Sequence, residues 1–170
     1  MLSKKVVELL NNQVNKEFYS AYLYLDISNY YKDEGLEGFA NWYRIQAQEE
    51  RDHALLFMDY LQQNGESVTL EAIDKPDQEF KEFIDPLKVG AEHERFVTGL
   101  IHNVYAAAYD DKDFRTMQFL DWFVKEQAEE EDTADDLVKK FQLFATDGKG
   151  LYMLDSELSG RVYSAPSLTL

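Results

Sequence analysis

The chain has 170 residues, of which 45% are hydrophobic and 14% aromatic, enough for one domain with a substantial core and too many for disorder. Seventeen basic residues face 33 acidic ones, for a net charge of −16, so cations are plausible partners and nucleic acid is a poor one. The lack of cysteine excludes disulfides, thiolate zinc sites and cysteine-ligated iron–sulfur clusters. Neither a run of about 18 apolar residues nor a signal-peptide core occurs, which predicts a cytoplasmic protein without a membrane partner.

Hydrophobic periodicity predicts a first helical hairpin. One helix follows Ser3, a possible N-cap, and continues to about Lys32, and a second spans about Leu36 to Asn64. The turn between them at residues 33–35 is short, so these helices are expected to be antiparallel. The predicted inner stripe of the first helix is Val7, Leu10, Val14, Glu17, Ala21, Tyr24 with Leu25, and Ser28.

Residues 65–84 have no strong period and predict a long crossover. Twenty extended residues cover about 66 Å, whereas a helix of about 28 residues is roughly 42 Å long. The crossover can therefore traverse the bundle, so that the third helix starts parallel to the second. Asp85 and Pro86 are the expected N-cap and first residue of that helix, which continues to about Tyr109.

The remaining sequence predicts a fourth helix over about 113–146 and a short fifth one over about 149–160, with a loose tail at 161–170. The predicted fold class is therefore all-α: an antiparallel-hairpin four-helix bundle over about 3–146, with a long crossover between helices 2 and 3 and a short C-terminal helix. We expect residues 1–170 to form a single domain.

Polar side chains interrupt the apolar stripe of each long helix. In the second helix Glu50 and His53 lie three residues apart on the face of Phe39 and Phe57, so they point the same way. Burying an unpaired charge costs several kcal/mol, and a metal ion would compensate it. The corresponding positions in the other helices are Glu17, Glu94 and the pair Gln127 and Glu130.

The two halves of the chain repeat this pattern. Thirty-three residues separate Glu17 from Glu50, and 33 separate Glu94 from Gln127. A shift of 77 residues maps the first pair onto the second, His53 onto Glu130, and the turn at Gly35 onto Lys112. The chain is thus predicted to be two equal hairpins whose polar residues meet at one level, as a metal pair requires.

Glu17, Glu50-x-x-His53, Glu94 and Gln127-x-x-Glu130, together with Tyr24, resemble the signature of the ferritins, with the best fit to the bacterial non-haem ferritins. The resemblance spans nearly the whole chain. It implies a hollow cage of 24 subunits, each of which oxidises Fe2+ with O2 or H2O2 at a dinuclear ferroxidase centre and passes Fe3+ to a stored mineral.

Carboxylate and imidazole ligands suit Fe2+ and tolerate Fe3+. Glu17, Glu50 and His53 are the expected first site, with Glu50 as the bridge, and Glu94 anchors the second with Gln127 or Glu130. Similar bacterial ferritins have a third iron site, for which the candidates here are Glu49, Glu126, Glu129 and Glu130. A solvated acidic face is the alternative for Glu126 and Glu129. Tyr24 is expected to hydrogen-bond a ligand or donate an electron, with core packing as the alternative.

Two differences from haem-bearing bacterioferritins predict a protein without haem. Those relatives repeat Glu-x-x-His in the fourth helix, where this chain has Gln127 and Glu130, and they bind haem through a Met at the position of Asp52. The resulting centre is asymmetric, with one metal site less fully ligated, as expected of a site from which oxidised iron leaves.

Other classes stay open at this point: a di-iron enzyme acting on an organic substrate or peroxide, a DNA-protecting mini-cage, and a metal-free scaffold in which the polar layer fixes helix register. Trp122 is predicted to be structural and His93 and His102 to lie at the surface or an interface. Surface ion pairs are the favoured interpretation for three further residues: Arg44, Arg51 and Arg95.

Overall fold

The computed structural model describes residues 2–170, which form five helices and no strand. The helices are α1 (Lys4–Asp33), α2 (Glu37–Gln63), α3 (Asp85–Asp110), α4 (Phe114–Phe144) and α5 (Gly148–Leu158). The helix α1 packs against α2 and α3, α3 packs against α4, and α5 lies on α2 and α4. The predicted all-α bundle with a short fifth helix is therefore confirmed. Within the described residues, no helix has the apolar run that a bilayer crossing needs.

The two hairpin turns have matching backbones. Gly35 has a φ of 77° and Lys112 a φ of 56°, and these are the residues that the 77-residue shift superposes. Glycine enters this left-handed region freely, whereas lysine does so at some cost. The repeat seen in the sequence is thus also present in the turns that set the hairpin geometry.

The helix starts follow local capping chemistry. The Ser3 side chain accepts a hydrogen bond from the Val6 N–H at 3.2 Å, and Asp113 accepts one from the Thr116 N–H at 3.1 Å, as N-cap residues do. The prediction that Asp85 is an N-cap was wrong. Asp85 is the first residue of α3, and its carboxylate instead accepts the backbone N–H groups of Lys81 and Glu82 at 2.9 and 2.8 Å.

The crossover is hydrogen-bonded to α1 near both of its ends. Asn11 donates to the Ser67 carbonyl at 3.2 Å and accepts from the Thr69 N–H at 2.7 Å, and Asn15 makes an equivalent pair of bonds one turn later. At the other end Tyr31 donates to the Phe83 carbonyl at 2.6 Å. The segment therefore travels the length of α1, and α3 starts parallel to α2 as predicted.

The core is divided into two apolar clusters at opposite ends of the bundle. One contains Leu10, Phe57, Ile101 and Phe123, and the other contains Ile27, Phe39, Leu87 and Leu137. The predicted inner face of α1 needs two corrections: Val6 is fully buried in place of Val7, and Leu25 is 43% exposed. Both errors are shifts of one residue around the helix, because 3.6 residues per turn leave neighbouring positions hard to separate by pattern alone.

Candidate metal centre

A layer of polar side chains separates the two apolar clusters. All four long helices contribute to it, and each member is buried: Gln13, Glu17, Ser20, Gln46, Glu50, His53, Glu94, Gln127 and Glu130. Each helix brings its polar residues to the same height because the two hairpins have equal length. The layer predicted from the sequence is therefore present.

Glu17, Glu50 and His53 lie at the centre of this layer. One ligand atom from each lies within 4.8 Å of the others, and no other such group of potential metal ligands occurs in residues 2–170. The His53 Nδ1 is 3.5 Å from a Glu50 oxygen, which is an ion-pair contact and too long for a normal hydrogen bond. His53 Nδ1 and Glu17 Oε2 are among the few buried polar atoms that have no hydrogen-bond partner in the described structure.

The charges of these three residues are strongly perturbed. Burial raises the pKa of Glu17 from its ordinary 4.5 to about 8, and the negative charge of Glu50 adds to the rise. Burial alone would raise the pKa of Glu50 too, but the adjacent His53 holds it below its ordinary value. Burial would lower the pKa of His53, yet the neighbouring carboxylates raise it to about 10. Without a metal, the centre therefore keeps one ion pair and a neutral Glu17 near pH 7.

Glu94, from α3, belongs to the same layer, and each of its oxygens has a partner. The Tyr24 hydroxyl donates to Oε1, and the Gln127 side-chain amide donates to Oε2 at 3.1 Å. Burial, followed by the charges of Glu50 and Glu130, raises the pKa of Glu94 well above its usual range. Tyr24, whose side chain is almost completely buried, thus contacts the second predicted ligand set directly.

Glu130 reaches the same centre through Gln46. The Gln46 amide donates to Glu130 at 2.7 Å and to Glu50 at 3.1 Å, so one NH2 group links the carboxylates of α2 and α4. Burial raises the pKa of Glu130 to about 8, with a further rise from the charge of Glu50. A comparable bond joins Gln13 to Glu17 at 2.7 Å. Neither glutamine was among the predicted site residues, although each lies four residues before its partner glutamate and could have been found by that spacing.

The predicted third site borders a cavity of about 320 Å³ beside this layer. Glu49, Glu126, Glu129 and Glu130 line it together with His53 and Trp122. The four carboxylates do not converge into a ligand cluster. Glu129 is exposed, Glu130 accepts from Gln46, and Glu49 forms an ion pair with Arg161 at 2.5 Å.

The prediction of a loose tail was wrong. Residues 161–170 contain no helix, but they fold back over α2 and α4 and supply the outer wall of the cavity. The Arg161 guanidinium binds Glu49, Tyr163 donates to Asp52, and Trp122 donates to Ser167 at 3.0 Å. No local pattern announces these contacts, since each is a single side chain meeting a residue more than 40 positions away.

His93, His102 and Trp122 differ in how far they are covered by neighbouring helices. His93 is not a simple surface residue: its ring stands 2.8 Å from the Ser20 hydroxyl and 5.8 Å from the Tyr24 ring, and burial lowers its pKa. His102 is exposed, as predicted. Trp122 packs edge-on at 5.6 Å from the His53 ring, so its structural role includes holding that imidazole.

Two of the three arginines noted in the sequence form the expected surface ion pairs, Arg51 with Asp52 at 2.8 Å and Arg95 with Asp135 at 2.5 Å. The third, Arg44, is exposed.

Comparison with known proteins agrees with this geometry. The ferritin-like domain family (Ferritin) matches residues 7–144. The bacterial non-heme ferritin of Campylobacter jejuni is 40% identical over 155 residues, covering 91% of this chain and 93% of that protein. A probable bacterial non-heme ferritin-like protein of Haemophilus influenzae is 37% identical over 158 residues, covering 93% and 96%. An engineered closed form of the Archaeoglobus fulgidus ferritin superposes with a TM-score of 0.94 at 43% identity, covering 96% of this chain and 100% of that one.

A four-helix bundle with a buried carboxylate and histidine layer is typical of the ferritin-like class of proteins. Within that class the chain belongs to the ferritin family. Ferritins bind and store iron, and the chain is similar to relatives named as bacterial non-heme ferritins over nearly its full length.

Proposed function

We propose that this protein is a ferroxidase: it binds Fe2+ in the buried layer, oxidises it to Fe3+ with O2 or H2O2, and stores the ferric mineral inside a 24-subunit cage. Two Fe2+ ions supply two electrons. With two protons, these electrons reduce O2 to H2O2, or H2O2 to two molecules of water. Iron is here the substrate, and the protein supplies the ligands that hold two ions close together.

The observation that carries this proposal is the pair of buried atoms without partners. Glu17 Oε2 and His53 Nδ1 have no hydrogen bond, although an unsatisfied buried polar group costs about 1–3 kcal/mol. Both belong to the group whose ligand atoms, with that of Glu50, lie within 4.8 Å of one another. A divalent cation would take both atoms as ligands and displace the protons that Glu17 and His53 carry near pH 7.

The second metal position is proposed at Glu94, with Gln127 or Glu130 as its helper. Tyr24 and Gln127 each donate to one oxygen of Glu94, so an incoming ion must share an oxygen with one of these donors or displace it. The first position has free ligand atoms and the second has occupied ones. This supports an asymmetric centre, in which the ion near Glu94 is held more weakly and oxidised iron leaves from that side.

A third, more weakly held ion is proposed at Glu49, Glu126, Glu129 and Glu130, which line one cavity. Haem is not part of the proposal. At the position where bacterioferritins have a Met ligand, Asp52 accepts hydrogen bonds from Arg51 and Tyr163. The cytoplasmic location predicted from the sequence stays a prediction.

Assembly is supported by apolar side chains at the corner between α4 and α5. Leu143, Phe144, Tyr152 and Met153 are each between 58 and 73% exposed. Clustered apolar surface of this kind usually marks a protein–protein contact, and another copy of the chain would cover it in a cage. The number of 24 subunits comes from the family resemblance.

The test is aerobic addition of Fe2+ to the metal-free protein, followed by absorbance of the ferric-oxo product, with the particle mass measured in parallel. Glu50→Gln and His53→Ala should abolish rapid oxidation and leave the assembled mass unchanged. Glu92→Gln is the matched control, because Glu92 is an exposed glutamate on α3. A wild-type protein that is a monomer or dimer and takes up no iron would refute the proposal.

A further inference from the structure

The segment 161–170 carries one arginine, and that side chain is held from several directions. Arg161 Nη2 donates to Glu49 at 2.5 Å, while Nη1 donates to the Trp42 carbonyl at 3.1 Å and to Gln46 Oε1 at 2.9 Å. Its guanidinium lies 4.2 Å from the centre of the Trp42 ring, a cation–π distance. Arg161 therefore occupies a defined cation position and is not a mobile surface charge.

This position adjoins the acidic cavity. Arg161 and Glu49 both line it, together with Glu126, Glu129 and His53. The other carboxylate groups of the cavity have no arginine or lysine paired with them in the described structure. The guanidinium thus supplies positive charge at the place where a divalent ion bound to Glu49 would supply it.

The same guanidinium is linked to the buried centre by one side chain. Because Gln46 Oε1 accepts from Arg161, the Gln46 NH2 group points inward and donates to Glu50 and Glu130. A metal ion that bound Glu49 Oε2 would displace Arg161 from that oxygen, and one that bound Glu130 Oε2 would displace Gln46.

We propose that Arg161 is a tethered cation that competes with a third divalent metal ion for Glu49, so that this ion binds in the cavity only when the guanidinium leaves. The proposal rests on the proposed metal centre, since the cavity opens onto His53. Arg161 is a specificity-determining residue in this view. It keeps the outer position weak while leaving the inner two positions free to fill first.

The experiment is calorimetric titration of the assembled, metal-free protein with Co2+, which does not need an oxidant and whose visible spectrum reports ligation. Wild type should show two ions per subunit bound more tightly and a third bound more weakly. Breaking a charge-assisted hydrogen bond such as the one between Arg161 and Glu49 weakens binding of the competing ion by roughly tenfold or more. Arg161→Gln should therefore tighten the third step about tenfold or more and leave the first two steps unchanged.

Two variants distinguish the loss of positive charge at Arg161 from the loss of a positive charge elsewhere on the protein. Arg51→Gln removes the same charge from an exposed ion pair on α2 and should leave all three steps as in wild type. Arg161→Lys keeps the charge and should leave the third step close to its wild-type affinity. An unchanged or weaker third step in Arg161→Gln would overturn the proposal, as would equal tightening in Arg51→Gln.

A crystal structure of the wild-type protein soaked in Co2+ gives a test that needs no variant to fold. We expect an ion at Glu49 together with an Arg161 side chain that has left this carboxylate. A third ion bound while Arg161 still pairs with Glu49 would overturn the proposal. Loss of the first two binding steps in every protein would instead refute the dinuclear centre, and the third step of Arg161→Gln would still decide the role of the arginine.

Discussion

Replacing Glu17 with glutamine should stabilise the metal-free protein and weaken the metal-bound one. Glu17 is buried in the polar layer, where burial and the charge of Glu50 raise its pKa from 4.5 to about 8. A glutamine has nearly the same shape and can still accept the hydrogen bond from Gln13, which measures 2.7 Å in the wild type. The substitution therefore removes a titrating group with little change in packing.

The raised pKa of Glu17 means that this carboxyl group lowers the free energy of unfolding at neutral pH. A carboxyl group with a raised folded-state pKa contributes stability that is fully present below its unfolded pKa and is lost as the pH rises towards the folded pKa. For a rise from 4.5 to about 8, the loss at pH 7 is about 3 kcal/mol, and at pH 5 it is under about 1 kcal/mol. Glutamine does not titrate, so the variant avoids this loss.

The assay is thermal unfolding followed by circular dichroism, at equal protein concentration and scan rate because the assembly makes the midpoint depend on both. For a chain of this length about 3 kcal/mol raises the midpoint by about 6–12 °C, which we expect for metal-free Glu17→Gln at pH 7, with a much smaller rise at pH 5. Co2+ at 100 times its dissociation constant adds about 2.7 kcal/mol per site to wild type. The variant, which lacks an anionic ligand, should gain clearly less.

Glu8→Gln is the matched control, because Glu8 is an exposed glutamate on the same helix and its substitution should move neither midpoint. A metal-free Glu17→Gln protein that is less stable than wild type at pH 7 would refute the reasoning about buried charge. Equal stabilisation of both proteins by Co2+ would refute the assignment of Glu17 as a ligand.

Metal binding should release protons at pH 7 and tighten as the pH rises towards 8, because the buried carboxyl groups of Glu17 and Glu130 have a pKa of about 8 and a bound metal displaces their protons. Calorimetric titration in buffers of different ionisation enthalpy measures the number of protons released, and no net release would contradict the prediction. Tyr24→Phe should slow Fe2+ oxidation by about tenfold and leave metal stoichiometry intact, because it removes one hydrogen bond to Glu94 and no proposed ligand. An unchanged rate in stopped-flow absorbance would show that Tyr24 only packs. Gly38→Ala should detach α5 and lower the thermal midpoint, because its Cβ would lie 1.7 Å from the Asp155 carbonyl oxygen, whereas Gly99→Ala, with open space around it, should not lower it.

The polar layer was predictable because its residues obey helical periodicity. Glu17, Glu50 and Glu94 interrupt apolar stripes, and the equal spacing in the two hairpins requires them to meet at one height. Gln46 and Gln13 obey the same periodicity, but neither was among the predicted site residues, because an amide on a buried face is less costly than a charge and was given less weight. The ferritin resemblance rested on the same positions and is confirmed by the family match.

The errors share a different cause. His93 lies off the stripe of α3, yet it is covered by Ser20 and by aromatic rings of α1, which the pattern of α3 cannot report. Asp85 has the residue type of an N-cap, but its carboxylate turned towards the preceding chain. In each case the outcome depends on which neighbour from another segment arrives within hydrogen-bonding distance.

By itself, then, the sequence determined the helices, the two equal hairpins, the long crossover and the level at which carboxylates and histidine converge, because these depend on spacing along a regular helix. Only the tertiary structure decided the partners around that level: the donors on both oxygens of Glu94, the free atoms of Glu17 and His53, and the closure of the acidic cavity by the tail. The contact between Arg161 and Glu49 joins residues 112 positions apart. No periodicity connects them, and the pair exists only because α5 turns the chain back across α2.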